Sequence, residues 1–542
     1  MKKRLALSVA MAVAGTGLLA AATSASSGRA HGSAAPSAGV KRGGTLRVVY
    51  STADIQFTDP TLEYESPGWQ ILYASALKLL NWRENKAQLF PEGAVAFPRV
   101  GGGGRSYTFT VRRGLRLSNG AVVTARNYKA AFDRAMDPKM NSPALAFLGD
   151  VTSVTASGNK LTIRLKHARP DFASIVSMPF FQAIPVNLAH DPSGVRTYAS
   201  GGPYYICARD VGRSVILCRN KYYKGNRPRN PDQINIRTNT DPNTDLLNIE
   251  RNNADYEMGT LPPSSHARLR RQYPKHYFIR PGIITDYLSM NATYGSKGKG
   301  NSIFNGYSGK GLASRKAVNY AVNRPATLKA RGAFAGTPTN QVLPPTMPGY
   351  RNWARAIGYP LNKPNDKKAK SLKPHTGSLT FYASTTPVSL LIVTIVKQNL
   401  AAIGMDANVK TFPFGVRIKK EGHKGEPFDL DLQAWGADYP DPVDFLDILL
   451  NGTNIHAENN NNNAYFNSPT FNRRMALAGR LVGAKRYSQY ALIDRDVMKQ
   501  QAPLAPLFVR TVREFTSKSE IGCYSYQPIY ATMNLNAGCG AR

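Results

Sequence analysis

Residues Arg105–Pro138 read RSYTFTVRRGLRLSNGAVVTARNYKAAFDRAMDP. Tyr107, Phe109 and Val111 alternate with Thr108, Thr110 and Arg112, the period of a half-buried strand. Thr124 stands where an N-cap belongs, ahead of a helix predicted over 125–136, and Asp137-Pro138 ends that helix. The four glycines Gly101–Gly104 form the turn before the strand. Outward from this unit the same mixture continues. Thr45–Tyr50 is a β-rich run, and Pro67–Leu80 carries Trp69, Leu72, Tyr73, Ala76, Leu77 and Leu80 at helical spacing. Lys160–Lys166 alternates with Leu161, Ile163 and Leu165 on one face, and Tyr204–Leu217 reads as a hairpin around Asp210-Val211-Gly212. Leu312–Val322 is helical, Thr337–Tyr350 a proline-rich loop. Leu379–Ala383, Val388–Ile403 and Ala407–Phe412 read strand, helix, strand, with Gly404 ending the helix. Asn459–Asn463 is expected to be an exposed loop. The pattern is α/β with several discontinuous lobes.

The chain has 542 residues, 10% of them aromatic, with four cysteines. At about 150 residues per domain this suggests three domains with an ordinary hydrophobic core. Lys+Arg number 70 against 34 Asp+Glu, a formal charge of +36, which bears on partners and solubility, not on fold. Met1–Arg4 reads MKKR and Leu5–Ala22 carries no charge, with small residues Thr23-Ser24-Ala25 after it. That is the layout of a secretory signal peptide over 1–25. Its removal takes away Lys2, Lys3 and Arg4 and leaves the remainder strongly basic. Residues 26–42, rich in Ser, Ala and Gly, read as a flexible tether. No cysteine lies near the cleavage region, so no lipid anchor is expected, and the protein is expected to be exported, periplasmic or at the cell surface. In an oxidising compartment Cys207, Cys218, Cys523 and Cys539 read as two local disulfides, although three pairings exist and metal binding is the rival reading.

The sharper catalytic motifs are missing: there is no HExxH, GxSxG, CxxC or GxxxxGK[ST]. The eight histidines are scattered without ligand spacing and are expected on the surface or in loops, with no metal and no cofactor. Arg268, Arg270, Arg271 and Lys275 form a basic stretch, but positive charge is spread along the whole chain, so a solvated surface is the better reading and no nucleic-acid partner is expected.

The stretch Arg105–Pro138 resembles the signature region of the family 5 extracellular solute-binding proteins, the peptide- and nickel-binding components of ABC importers. Asn119-Gly120 and Val123-Thr124-Ala125 match, while Asn127 replaces the usual acidic residue. Further pieces follow in the family's order: Gly43-Gly44-Thr45-Leu46, Asp59-Pro60, Gly202-Pro203-Tyr204, Asn220–Tyr223, Ser314–Arg324, Asp366–Lys370 and Trp435–Pro442. The resemblance implies a bilobed periplasmic-binding-protein type α/β fold with an extra inserted domain and hinge closure over the ligand. Lobe I would comprise 43–82, 199–284 and 499–542, the inserted domain II 83–198, and lobe III 285–498. It also implies a monomer that hands a peptide or similar amine-bearing solute to a membrane permease driven by a separate ATPase.

In peptide-binding members the Asp of the Trp435–Pro442 segment pairs with the ligand's α-amino group, which here is Asp438. A carboxylate walled by Trp435 and Tyr439 suits a desolvated ammonium, and in an empty, open cleft it would be solvated. Gly436 would offer backbone groups to a peptide main chain. Tyr64, Glu65 and Trp69 lie where the first lobe faces the cleft. The competing reading of Asp438 is an Asx-type turn. Two other functions stay open: a secreted carboxylate-dependent hydrolase using Asp438 and Asp441, and a basic protein adhering to an anionic cell-envelope polymer.

Overall fold

The computed structural model describes residues 42–51, 54–294, 302–520 and 522–540. The expected signal peptide and all but the last residue of the expected tether lie outside them. Thr124 caps the helix Ala125–Met136, with its hydroxyl accepting from Arg126 N–H at 3.3 Å and its own N–H donating to Asn127 Oδ1 at 2.8 Å. This is a capping box with asparagine in the acidic position. The amide does more than a carboxylate would, because its Nδ2 also donates to the Ile184 carbonyl at 2.9 Å. Tyr128, Ala131, Phe132 and Ala135 form the buried face, and Phe132 stacks on Phe181.

Three sheets organise the chain. The first has the order Tyr256–Glu257, Thr45–Ser51, Gln233–Thr240, Ser214–Arg219, Tyr204–Asp210, parallel at its first two junctions and antiparallel at the others. The second is antiparallel, Arg99–Gly101, Ser106–Thr110, Lys160–Leu165, Val151–Ser157, and its residues fall between two segments of the first. The third has the order Gly336–Pro338, Leu504–Phe515, Tyr277–Met290, Leu430–Gly436, Gly377–Ser384, Met405–Phe412. In it Gly377–Ser384 and Met405–Phe412 pair in parallel around the helix Pro387–Ala401. The two longest strands, Tyr277–Met290 and Leu504–Phe515, pair from Tyr277↔Phe515 to Ser289↔Leu504, with a register break between Pro281 and Thr285. The bridge Tyr256↔Thr516 joins one end of this pair to the first sheet. The chain then returns to the first sheet, where Met533 and Leu535 pack with Leu46, Val48 and Ile234.

Asp59 fixes the inserted segment to the first sheet's side of the molecule. It is fully buried and receives Arg134 in a two-pronged pair, both contacts 2.7 Å. Thr61 N–H and Val195 N–H fill its remaining acceptor sites. The cysteines pair as Cys207–Cys218, across adjacent strands, and Cys523–Cys539, with Cα–Cα separations of 5.7 and 5.6 Å.

Three expectations need correction. The helix expected over 67–80 spans Ser66–Ser75 only, and Leu80–Trp82 is a strand. Donors from distant segments take its last carbonyls: Arg227 bonds Tyr73 O and Ala76 O, Gly202 N–H bonds Ser75 O, and Ala183 N–H bonds Leu77 O. The asparagine run is not an exposed loop. Asn460, Asn462 and Asn463 are buried, and the first two tie down backbone at Gly422, His456 and Phe466. His266 and His276 are also buried, bonded to Tyr277 OH and Ser517 O. Among the described residues no cluster of His, Cys, Asp or Glu fits a metal ion, and no helix is long and apolar enough to cross a membrane.

Replacing Asp59 by asparagine strands a buried guanidinium. Chemical denaturation should show a loss of roughly 3–5 kcal/mol, and a loss below 1 kcal/mol would mean the pair contributes nothing net. Replacing both Cys207 and Cys218 by serine releases a short loop, and the same measurement should show a loss of about 2–3 kcal/mol with the fold retained.

Candidate functional site

The strand Leu430–Gly436 puts Leu430 and Leu432 into the core of its sheet and sends Asp431, Gln433 and Trp435 to the other face. Two prolines, Pro440 and Pro442, stop strand pairing beyond it, and the helix Val443–Leu450 starts at once. Asp438 lies in this short turn. It is 9% exposed, its Oδ2 accepts from Tyr64 OH at 2.7 Å, and its backbone N–H donates to Asp444 Oδ2 at 2.8 Å. The expected solvated carboxylate is therefore a buried one in this structure.

Aromatic rings cluster around the tyrosine that bonds it. Tyr64 lies with its ring centroid 5.6 Å from Trp69, 5.6 Å from Phe180, 6.2 Å from Phe147 and 6.4 Å from Trp435. Glu63 holds Tyr64 in place: its carboxylate accepts from Phe57 and Glu65 N–H, and its carbonyl accepts from the Trp69 indole at 2.8 Å. The Trp435 indole N–H is sealed from solvent, and the carboxylate it acts on is Asp444. Its strand is paired to Gly377–Ser384 only at Leu430 and Asp431, so on that side Gln433–Gly436 is an open edge among the described residues.

The electrostatics are one-sided. Burial pushes Asp438 up to about 7, against the pull of the Tyr64 hydrogen bond, and burial together with the Asp438 charge raises Asp444 well above the carboxylate range. Burial alone pushes Glu65 up to about 7, and burial with the neighbouring Glu65 charge pushes Glu63 up to about 8. Among the described residues no Lys, Arg or His forms an ion pair with Asp438, Asp444 or Glu65.

The other residues of the segment behave differently. Asp441 sits in the fork of Arg486 at 2.8 and 3.0 Å and caps Val443 N–H. Tyr439 is fully buried and donates its hydroxyl to Asp171 at 3.0 Å. Asp171 is paired with Arg169; burial opposes its ionisation, yet the Arg169 charge draws it down to about 2. Arg169, Asp171, Arg486 and Asp441 thus form an ion-paired network, extended by Asp150 on Arg169 at 3.4 Å, joining the inserted segment to the helix Gly483–Gln500. The structure therefore brings together Asp438, Tyr64, Trp69 and Trp435, with Glu65 and Gly436 at the margin. It places Tyr439 and Asp441 in the neighbouring ionic network, so Asp441 is not a partner carboxylate for Asp438. The carboxylate beside Asp438 is Asp444, which sequence reasoning missed; its signal was an aspartate in the first turn of the following helix. Phe147 and Phe180 were missed as well, because the helix Leu145–Leu148 and the 3-10 turn Pro179–Phe181 that carry them are too short to show a period.

The family model "Bacterial extracellular solute-binding proteins, family 5 Middle" matches residues 91–457. The chain is 24% identical over 432 residues to the glutathione-binding protein GsiB of Escherichia coli strain K12, covering 77% of this chain and 80% of that one. It is 22% identical over 464 residues to the oligopeptide-binding protein OppA of Bacillus subtilis strain 168, covering 78% and 79%. Among solved structures, the periplasmic binding protein DppA from Helicobacter pylori in complex with the peptide STSA superposes with a TM-score of 0.77 at 20% identity, covering 92% of this chain and 97% of that one.

A raised carboxyl pKa links stability to pH. Below about 4 both folded and unfolded chains hold the Asp438 proton; between about 4 and 7 only the folded chain does. Stability from this group therefore falls as pH rises through that window and levels off above it. Asp438→Asn should flatten the profile, gaining on wild type by on the order of 2–4 kcal/mol between pH 4 and pH 8. Unfolding titrations at the two pH values give the comparison, and an equal difference at both would mean that Asp438 ionises freely in the folded protein.

Proposed function

Since the chain belongs to family 5 of the bacterial extracellular solute-binding proteins and has their bilobed α/β fold, we propose that it is the exported binding component of an ABC importer, taking a peptide or related solute through its free amino group. The observation that carries this reading is the buried Asp438–Asp444 pair, bonded to Tyr64, on which Trp69, Trp435, Phe147 and Phe180 pack, and lacking a cation of its own. A ligand ammonium supplies the missing charge, because a desolvated carboxylate is stabilised by a paired cation and penalised without one. Rings close to that ammonium add cation–π attraction. The open edge at Gln433–Gly436 suits a peptide main chain added as a further strand, which gives tolerance of side-chain sequence.

We assign 43–82, 199–284 and 499–542 to one lobe, 83–198 to an inserted domain and 285–498 to the other lobe. The paired strands Tyr277–Met290 and Leu504–Phe515 connect the lobes, and the register break after Pro281 is the place for a hinge. A separate permease and ATPase would receive the ligand. The hydrolase reading loses its second carboxylate to Arg486.

Native mass spectrometry of protein purified without refolding should reveal a carried solute with a free amine. Calorimetry with that solute should show Asp438→Asn weakening binding by two to three orders of magnitude, the equivalent of losing one partner of a buried pair at about 1.4 kcal/mol per decade. N-acetylating the solute should weaken wild-type binding to a similar degree. A variant affinity within threefold of wild type would remove Asp438 from the ligand site.

A further inference from the structure

The segment between the helix Arg324–Lys329 and the strand Gly336–Pro338 is pinned from several directions. Arg513 Nη1 donates to the carbonyls of Arg331 and Ala333 at 2.8 and 2.9 Å, and Thr511 Oγ1 donates to the carbonyl of Phe334. Gly332, at φ +85°, lies against Pro263 so closely that a Cβ would stand 2.1 Å from its carbonyl oxygen. Phe334 is held at φ +60°, a conformation rare for an aromatic residue. Such a held backbone fixes where the Arg331 side chain emerges.

Three guanidinium groups gather there. Arg510 is committed to Asp286, which it grips at 2.5 and 2.7 Å. Arg513 commits its Nη1 to two backbone carbonyls, which occupy that nitrogen without neutralising the charge. Arg331 has neither: among the described residues its guanidinium makes no side-chain hydrogen bond or ion pair, and its Nε is sealed from solvent without a partner. Burial, with repulsion from Arg510 and Arg513, pushes Arg331 down to about 9. Burial and the charges of Arg513 and Arg331 also hold the nearby His266 down to about 3, so that imidazole is neutral. Asp286 is the carboxylate acting on Arg331, and Arg510 already uses it. Like charges packed in a half-buried place with an unfilled guanidinium fork are the arrangement that pairs with a planar or tetrahedral oxyanion.

We propose that Arg331, supported by Arg513 and Arg510, is an oxyanion-binding site of the phosphate type, where the 331–335 segment meets Pro263, distinct from the Asp438 cleft. The oxyanion can be free phosphate or a phosphate group carried on a polymer. The site neighbours the basic stretch on the helix His266–Gln272, whose Arg270 and Arg271 are exposed.

The test uses the purified full chain. At constant ionic strength, replacing chloride by 10 mM inorganic phosphate should raise the melting temperature measurably, and 31P titration should give saturable binding. Arg331→Gln should abolish both effects and, in chloride, melt no lower than wild type, since it removes a half-buried charge that has no ion-pair partner. Should that variant not fold, Arg331→Lys, which keeps the charge but loses the fork, should weaken phosphate at least tenfold. A polyglycerol phosphate that binds wild type more tightly than inorganic phosphate, and depends on Arg331, identifies the polymer as the source; binding of inorganic phosphate alone identifies the free ion. No phosphate-specific effect in wild type, or an effect that survives in Arg331→Gln, overturns the proposal.

Discussion

A carboxylate taken out of water must be paired, hydrogen-bonded or protonated, and the interior of this protein shows each solution at a different place. Asp59 is paired with Arg134 and has two backbone donors besides. Asp171 and Asp441 share Arg169 and Arg486. Asp438 and Asp444 have a tyrosine hydroxyl, a backbone N–H and each other. Only the last arrangement leaves net negative charge, or a retained proton, in the middle of an aromatic wall.

The two solutions stand side by side because one turn serves both. Between the strand Leu430–Gly436 and the helix Val443–Leu450 the chain passes Asp438, Tyr439, Pro440 and Asp441 in succession. Asp441 and Tyr439 anchor the turn to Arg486 and Asp171, which are buried and ion-paired. Asp438 is thereby held out on the other side, against Tyr64 from the opposite end of the sequence. The ion-paired network fixes the geometry, and the carboxylate without a cation is left for the ligand role proposed for it, the division of labour expected where a binding group is positioned by its supporting shell.

Local signals were legible in the sequence and long-range ones were not. The N-cap at Thr124, the glycine turn before Tyr107 and the strand–helix–strand unit from Gly377 to Phe412 are signalled by residues near one another in sequence, and the structure has them. The end of the first helix was not legible, because Ala76, Leu77 and Leu80 keep helical spacing. What stops the helix is Arg227, Gly202 and Ala183, more than 100 residues away, taking its carbonyls. The asparagine run looked polar and therefore exposed, yet asparagine buries well when both ends of its amide find backbone, as Asn460 and Asn462 do. In the site, Asp438 was legible through the residues around it. Asp444 was hidden because nothing in the sequence says that the first turn of the next helix folds back onto Asp438 N–H.

Net charge was misleading in an instructive way. Basic residues outnumber acidic ones by 70 to 34, yet the acidic minority supplies much of the buried charge. Asp438, Asp444, Glu63, Glu257, Asp431 and Glu421 are all buried, while Lys367, Lys368, Lys370, Arg270 and Arg271 are exposed. Exposed charges are screened by salt beyond about 8 Å at physiological ionic strength, whereas buried ones act at short range through a weakly polarisable medium. The formal charge therefore describes the surface that solvent meets. The site proposed at Asp438 is governed by carboxylates that contribute little to the total, and the cation proposed for it would answer a local charge opposite in sign to that of the whole molecule. Arg331 inverts that logic at the far side of the paired strands: there a half-buried basic group shares its nearest carboxylate, Asp286, with Arg510, and the same rule that calls for a cation at Asp438 calls for an anion at Arg331.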